Sequence, residues 1–142
     1  MSEFRCQGVH YMSRNFRKIK TWQQADDLTV EIYLATGAFP KEELYGITSQ
    51  LRRAVSSVPA NIAEGANRGH LKEYLQFLNI ARGSLAETEY FIHLACRLHY
   101  LEETVHDRIL KKIDALGGLL HRLMDAVKKD MEPKAGRSRS EV

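Results

Sequence analysis

The stretch SVPANIAEGANRGH, from Ser57 to His70, decides whether the middle of this chain is one helix or two. A proline inside a helix removes one backbone hydrogen bond and presses its ring against the carbonyl four residues back, here that of Val55, at a cost of roughly 3 kcal/mol. The apolar residues nevertheless keep a three-then-four spacing across the proline, at Val55, Val58 and Ile62. We therefore predict one helix from about Glu42 to Ala66, kinked at the proline.

The rest of the chain shows helical spacing of apolar residues and no strand-like alternation. The predicted core stripes are Leu28, Ile32, Ala35 and Phe39; then Leu44, Ile47, Leu51, Val55, Val58 and Ile62; then Leu71, Leu75, Leu78, Leu85, Ile92, Cys96 and His99, with Arg82 and Glu89 between them; and finally Val105, Ile109, Ile113, Leu116, Leu120, Leu123 and Val127. Short breaks separate the stripes, and short connections make neighbouring helices antiparallel. We predict an all-α fold, an antiparallel up-down-up-down four-helix bundle over residues 21–129.

The net charge of +3 is unevenly distributed along the 142 residues. Residues 1–20 hold five basic residues and one acidic residue, a net of +4, and residues 128–142 hold five and three, a net of +2. Residues 21–127 hold eleven basic and fourteen acidic residues, a net of −3. The sequence thus predicts a basic extension over residues 1–20 and a disordered basic tail over residues 130–142.

Basic segments with interleaved aromatic residues are suited to phosphate contacts and to stacking on single-stranded bases. Solvated tails have the same composition, so both interpretations stay open. The candidate nucleic-acid-binding residues are Arg14, Arg17, Lys18, Lys20, Lys128, Lys129, Lys134, Arg137 and Arg139.

Polar residues surround the proline, and they allow two interpretations. Ser56 and Ser57 can bond to backbone carbonyls, including the one that the proline frees. Asn61 and Glu64 either satisfy backbone groups and pair with Arg68, or mark a surface used by a partner subunit.

The third helix carries a second apolar stripe beside its core stripe, with Ser84 among its members. A bundle buries about a third of a helix's circumference, so a second stripe indicates contact with another subunit unless this helix has unusually wide core contact. The candidate oligomer-interface residues are Phe77, Ile80, Phe91, Leu94 and Leu98.

Glycines suggest a close approach between the third and fourth helices. In a hairpin that turns near residues 100–101, Gly83 would face Gly118 and Ser84 would face Gly117. Small residues opposite each other let two helix backbones come together, which would explain glycines inside helices.

The sequence offers little for catalysis. A di-metal bundle site needs two Glu-x-x-His motifs, and only Glu103–His106 has that spacing. Cys96 is expected to be a buried small hydrophobe. Glu89 is expected to accept a buried bond from Arg52 or Arg53. We predict no catalytic residue, no metal and no cofactor, and hence a protein that is not an enzyme.

Two scattered cysteines make no disulfide framework, and no apolar run reaches the roughly 18 residues of a membrane helix. We expect a cytoplasmic protein without a membrane partner.

The runs TWQQADDL, QLRRAVSSVPANIAEGANR and FLNIARGSLAETEYFIHLACRLHYL resemble the bacterial four-helix bundle family of 23S rRNA intervening-sequence proteins. The resemblance spans about Trp22 to Leu123; its specific part is the run Ser57–Gly65, supported by Ser84–Glu89. The family-motif residues, expected to be structural, are Arg52, Arg53, Ser57, Pro59, Asn61, Glu64, Gly65, Ser84, Glu87 and Glu89.

The chain is also similar in expected fold to the accessory protein of diversity-generating retroelements, a basic pentamer that works beside a reverse transcriptase on nucleic acid. The resemblance implies a homopentamer and, more weakly, association with RNA or DNA and with a nucleic-acid enzyme. The acidic body of this chain departs from that basic protein. Two functions follow: an oligomeric bundle that binds nucleic acid through basic arms, or a scaffold that binds only protein.

Overall fold

The computed structural model describes residues 14–133. The four helices are α1 (Lys20–Thr36), α2 (Ile47–Ala66), α3 (Leu71–Arg97) and α4 (Glu103–Met131). Short 3-10 helices at Phe16–Lys18 and Lys41–Glu43 precede α1 and α2. Residues 14–133 contain no strand, and the predicted all-helical class is confirmed. None of these helices is long and apolar enough to cross a membrane.

The helices pack in a closed ring. Each helix contacts its neighbours in the chain, and α1 also contacts α4, whereas the diagonal pairs α1–α3 and α2–α4 stay apart within residues 14–133. A single cluster of buried apolar side chains fills the centre. Because each helix offers one apolar face to a shared core, the fold is held together chiefly by hydrophobic burial.

The predicted core of α2 and α4 is largely right, because both helices keep an unbroken 3.6-residue period. The predicted residues that are buried there are Ile47, Leu51, Val55, Val58 and Ile62 in α2, and Ile109, Ile113, Leu116, Leu120 and Val127 in α4. The sequence interpretation missed Met124, which is 4% exposed in α4.

α2 begins five residues later than predicted. Pro40 is followed by the 3-10 helix Lys41–Glu43, and the next three residues form a turn, so Leu44 is 48% exposed and not in the core. The carboxylate of Glu43 accepts a hydrogen bond from the backbone N–H of Ile47 at 3.2 Å, which satisfies one of the unpaired donors at the new helix start. From Ile47, α2 continues through Pro59 to Ala66.

The core face of α3 agrees with the predicted one at Leu78, Leu85 and Ile92 and differs from it at the other positions. Its buried residues are Tyr74, Leu78, Ala81, Leu85, Thr88, Ile92 and Ala95. The predicted members Arg82 and Glu89 are exposed, Cys96 is only partly buried, and His99 lies beyond the helix with a φ of 60°. The prediction followed large side chains, but the small residues at the intermediate positions are the ones that fit between packed helices.

The close approach of helices occurs at a different glycine from those predicted. A Cβ on Gly83 would meet nothing within 4 Å, and one on Gly118 would meet only the Arg122 side chain, so the predicted pairing of these two glycines is wrong. A Cβ on Gly65 would lie 2.8 Å from the Cβ of Phe77. α2 and α3 therefore approach closely where α2 ends.

Candidate functional site

The backbone hydrogen bond that Pro59 removes from α2 is replaced by a side chain of another helix. The Val55 carbonyl, which loses its helical donor to Pro59, lies 3.2 Å from the hydroxyl of Thr29 in α1. The same hydroxyl lies 2.8 Å from the Ala25 carbonyl, so its one proton is shared between two acceptors. Ser56 bonds to a local backbone carbonyl, as the sequence allowed, but that carbonyl belongs to Arg53 and is not the one that the proline frees.

Three uncharged family-motif residues, Ser57, Asn61 and Ser84, form one hydrogen-bonded network between α2 and α3. Asn61 donates to the Ser57 carbonyl at 2.7 Å and to its hydroxyl at 2.9 Å. The hydroxyls of Ser57 and Ser84 lie 2.9 Å apart, and the fully buried Thr88 donates to the Ser84 carbonyl at 2.8 Å. Ser84 thus faces Ser57, whereas the sequence analysis predicted that it would face Gly117. The network satisfies polar groups between two helices, which is a structural task.

The charged family-motif residues do not take part in this network. Glu64 and Arg68 form the predicted ion pair at 3.0 Å. Arg52 donates to the Thr36 hydroxyl and Arg53 to the Gln50 side chain. The predicted bond from either arginine to Glu89 is absent, because Glu89 is exposed on α3; Glu87 is exposed as well.

Arginines and aromatic rings meet at one end of the bundle. The Arg14 guanidinium lies 4.9 Å from the ring centre of Tyr74, in the first turn of α3. Arg68, after the end of α2, lies 4.9 Å from the ring centre of Phe77, and Arg17 lies 4.8 Å from that of Phe16. Burial raises the pKa of the Tyr74 hydroxyl, and the charge of Arg14 partly opposes that rise. The stacked guanidinium of Arg14 keeps its planar edge available for anions, whereas that of Arg68 also donates to the Glu64 carboxylate at 3.0 Å.

We call this region the basic end and define it by the exposed or half-buried side chains of Arg14, Arg17, Lys18, Lys20, Arg68 and Lys72. The linear charge distribution showed only the four from the N-terminal segment. The fold adds Arg68 and Lys72, which stand in a net-acidic part of the sequence and were not among the predicted nucleic-acid-binding residues. Lys128 and Lys129 are exposed in the last turn of α4, while Lys134, Arg137 and Arg139 lie outside the described residues.

The outer face of α1 carries three exposed apolar side chains, among them Leu34, the most exposed apolar side chain in the helices that the structure describes. Val30, Tyr33 and Leu34 are 56%, 43% and 76% exposed. We call these three residues the α1 ridge. Val30 and Leu34 border a groove of about 1160 Å³, which also reaches Leu101 and Val105 at the start of α4. Residues at i, i+3 and i+4 share one helix face, so this ridge could have been found from the sequence.

The predicted interface stripe on α3 is only partly exposed. Ile80 and Leu98 are 52% and 45% exposed, whereas Phe91 and Leu94 pack against the core and Phe77 is half-buried against Gly65. The exposed apolar surface therefore lies on α1 as well as on α3. Within residues 14–133, no three His, Cys, Asp or Glu side chains are grouped as a metal site.

Comparison with known proteins gives one family and one fold. A family model described as the 23S rRNA-intervening sequence protein matches residues 17–122. Among solved structures, a protein of unknown function from the S23 ribosomal protein family of Bacteroides thetaiotaomicron matches with a TM-score of 0.66 and 22% sequence identity. The match covers 73% of this chain and 97% of that one, and it shows the shared fold. None of the curated proteins matches this chain.

Proposed function

Because the chain belongs to the 23S rRNA-intervening sequence protein family, we propose that it is a non-enzymatic, homo-oligomeric four-helix bundle that binds RNA or DNA through its basic end. It acts as an accessory in the cytoplasm, beside an enzyme that works on nucleic acid. The subunit count of five rests on the resemblance described above.

We infer an antiparallel up-down-up-down order with a bend at Pro59, where one helical hydrogen bond is lost. Pairs of residues in contact across the helices support the order, because the residue number rises in one helix as it falls in the next. The pairs are Thr29 with Val55, Thr36 with Arg52, Ser57 with Ser84, Gly65 with Phe77, and Leu85 with Gly117. In that order the end of α4 lies beside the start of α3, which adds Lys128 and Lys129 to the basic end.

The observation that carries the proposal is the stacking of Arg14 on the Tyr74 ring of α3; Arg68 stacks on Phe77 nearby but is paired with Glu64. A stacked guanidinium has lost side-chain freedom before binding, so less entropy is lost when it contacts a phosphate. The exposed lysines around it add the salt-dependent attraction typical of phosphate binding. Several copies in one assembly would multiply the contacts without any new surface.

The α1 ridge supports self-association. Leu34 leaves three quarters of its side chain in water, and Val30 leaves more than half. Exposed apolar patches next to a groove are typical of protein–protein contact surfaces. Burial of Val30 and Leu34 in a second copy would remove an apolar surface that the single bundle leaves uncovered.

The test compares two triple variants that remove the same charge. Arg14, Arg17 and Lys18 are changed to Gln in one variant; Lys41, Arg97 and Lys111, which are exposed and lie outside the basic end, are changed to Gln in the other. Binding of a structured RNA and a single-stranded DNA is measured by fluorescence anisotropy from low to physiological salt. We expect the first variant to lose at least about tenfold in affinity with a smaller salt slope, and the second to change little. Equal losses in both variants, or no binding by the unaltered protein at low salt, would refute the proposal.

The alternative function is a scaffold that binds only protein, and the α1 ridge favours it. Light scattering on the same samples measures the assembly. We expect Leu34→Glu to lower the mass of the assembly, and the matched exposed change Gln23→Glu on α1 to leave it intact. Assembly that depends on Leu34, without any binding of nucleic acid, would establish the scaffold in place of the nucleic-acid function.

A further inference from the structure

A second basic site lies between α1 and the first half of α2. A pocket of about 440 Å³ is lined by Thr48, Ser49, Arg52, Arg53 and Ser56 of α2 and by Tyr33 of α1, with one further apolar residue. No Asp or Glu of the described residues lines it. Arg52 and Arg68 are sixteen positions apart along α2 and its end, about 24 Å at 1.5 Å per residue, so this pocket is separate from the basic end.

The two arginines of the pocket have no carboxylate partner within residues 14–133. Arg52 is fixed in place: its Nε donates to the Thr36 hydroxyl at 2.8 Å, and its guanidinium lies 4.9 Å from the ring centre of Tyr33. Arg53 donates to the Gln50 side chain at 2.6 Å. Since a guanidinium has five N–H donors, each arginine keeps several donors for a ligand.

The hydroxyl of Thr48 is a second observation, independent of the two arginines, that points to a ligand in this pocket. Thr48 is 4% exposed, and its Oγ1 is buried without a hydrogen-bond partner among the described residues. Buried polar groups are almost always paired, and an unpaired one costs free energy unless a ligand or water completes it. The neighbouring Ser49 and Ser56 already donate to backbone carbonyls. Of the three hydroxyl-bearing residues that α2 contributes to this pocket, only Thr48 has a hydroxyl without a partner among the described residues.

We propose that this pocket binds a phosphate group, held by Arg52, Arg53 and Thr48. Two guanidiniums and a hydroxyl supply donors from different residues, which suits the several acceptor oxygens of a tetrahedral phosphate. The exposed ring of Tyr33, already stacked on Arg52, offers a face for a base attached to that phosphate. The phosphate belongs either to a free nucleotide or to a nucleic-acid strand. The proposal does not depend on nucleic-acid binding at the basic end.

The experiment is isothermal titration calorimetry on the full chain at low salt, with inorganic phosphate, adenosine monophosphate and a single-stranded RNA hexamer as separate ligands. The test variant is Arg53→Gln, and Arg82→Gln is its matched control. Arg82 is also exposed and also bonds to an amide side chain three residues earlier, that of Asn79 at 2.7 Å. Thr48→Val serves as a second test variant, with thermal unfolding measured for all three to establish that the fold is retained.

We expect Arg53→Gln to weaken phosphate binding at least about tenfold, Thr48→Val to weaken it less, and Arg82→Gln to leave it unchanged. Arg53-dependent binding of phosphate and adenosine monophosphate would identify a free anion as the ligand, and Arg53-dependent binding of the hexamer alone would identify a strand phosphate. Equal effects of Arg53→Gln and Arg82→Gln, or no binding of any of the three ligands at up to about 10 mM, would overturn the proposal. The triple variant at the basic end should keep this binding, which separates the failure of one proposal from the failure of the other.

Discussion

Pro59 and Thr29 show how one residue's lost hydrogen bond is supplied by a distant residue. Val55 itself is fully buried, so water cannot replace the missing helical donor of its carbonyl. The Thr29 hydroxyl lies 3.2 Å away, on the neighbouring helix. The proline therefore makes α2 depend on α1 for its own backbone hydrogen bonding.

We expect Thr29→Val to lower the free energy of unfolding by about 1–2 kcal/mol, because a buried carbonyl then has no donor. Thr29→Ser keeps the hydroxyl and is the control. In a Pro59→Ala background the backbone N–H at position 59 can donate to Val55, so the same Thr29→Val change should cost less. The double-mutant cycle by urea denaturation measures this coupling. Additive effects of the two substitutions would contradict the compensation.

At the scale of elements, the contact between α2 and α3 is set by small and hydroxyl-bearing residues. Ser57 and Ser84 bond across the pair, and Gly65 lets α3 approach where α2 ends. Gly83, in the middle of α3, has open space around it instead. The two helical glycines therefore differ in their roles. Gly65 is required for steric reasons, because a side chain there would collide with α3, whereas Gly83 has no packing role.

We expect Gly65→Ala to destabilise the protein by about 1–3 kcal/mol, because the new methyl would lie 2.8 Å from the Cβ of Phe77 and 3.0 Å from the Tyr74 ring. Gly83→Ala should instead stabilise it by about 0.5–1 kcal/mol through helix propensity. Both are measured by denaturant unfolding at one protein concentration. Stabilisation by both substitutions would show that the close approach at Gly65 is unimportant.

At the scale of the whole molecule, the first and last helices close the ring. Glu31 of α1 pairs with Arg108 at 2.9 Å and also with Lys112, both in α4. Partial burial opposes ionisation of Glu31, but the hydrogen bonds and charges of the two cations outweigh it and lower the pKa of the Glu31 carboxyl. The α1–α4 contact is the least extensive of the ring, so this cluster carries a larger share of it.

A lowered folded-state pKa stabilises the protein above the unfolded-state value near 4.5, and this contribution is lost as the pH falls through the folded-state pKa. We expect Glu31→Gln to cost about 0.5–1 kcal/mol at neutral pH, a small value because both cations are more than half exposed. The cost should vanish in acid and shrink in high salt. Glu89→Gln, at an exposed carboxylate, is the control. A cost for Glu31→Gln that persists below the folded-state pKa would contradict the role of the charge.

The sequence by itself determined the helical class, the number of helices and most of the core of α2 and α4, because apolar periodicity and helix-ending residues act within a few turns. It also predicted the Glu64–Arg68 pair, which spans a single turn. Family membership is likewise a property of the sequence, through the match over residues 17–122.

The tertiary structure decided what depends on residues far apart in the chain. It placed Ala81, Thr88 and Ala95 in the core beside the predicted residues of α3. It supplied the Val55 carbonyl with a donor from Thr29 and located the close helix contact at Gly65. It also brought Arg14 to Tyr74, and so joined Arg68 and Lys72 to a basic surface that the linear charge count had divided. The physical reason is that packing and charge depend on which faces meet in space, and that pairing is not encoded in the period of any single helix.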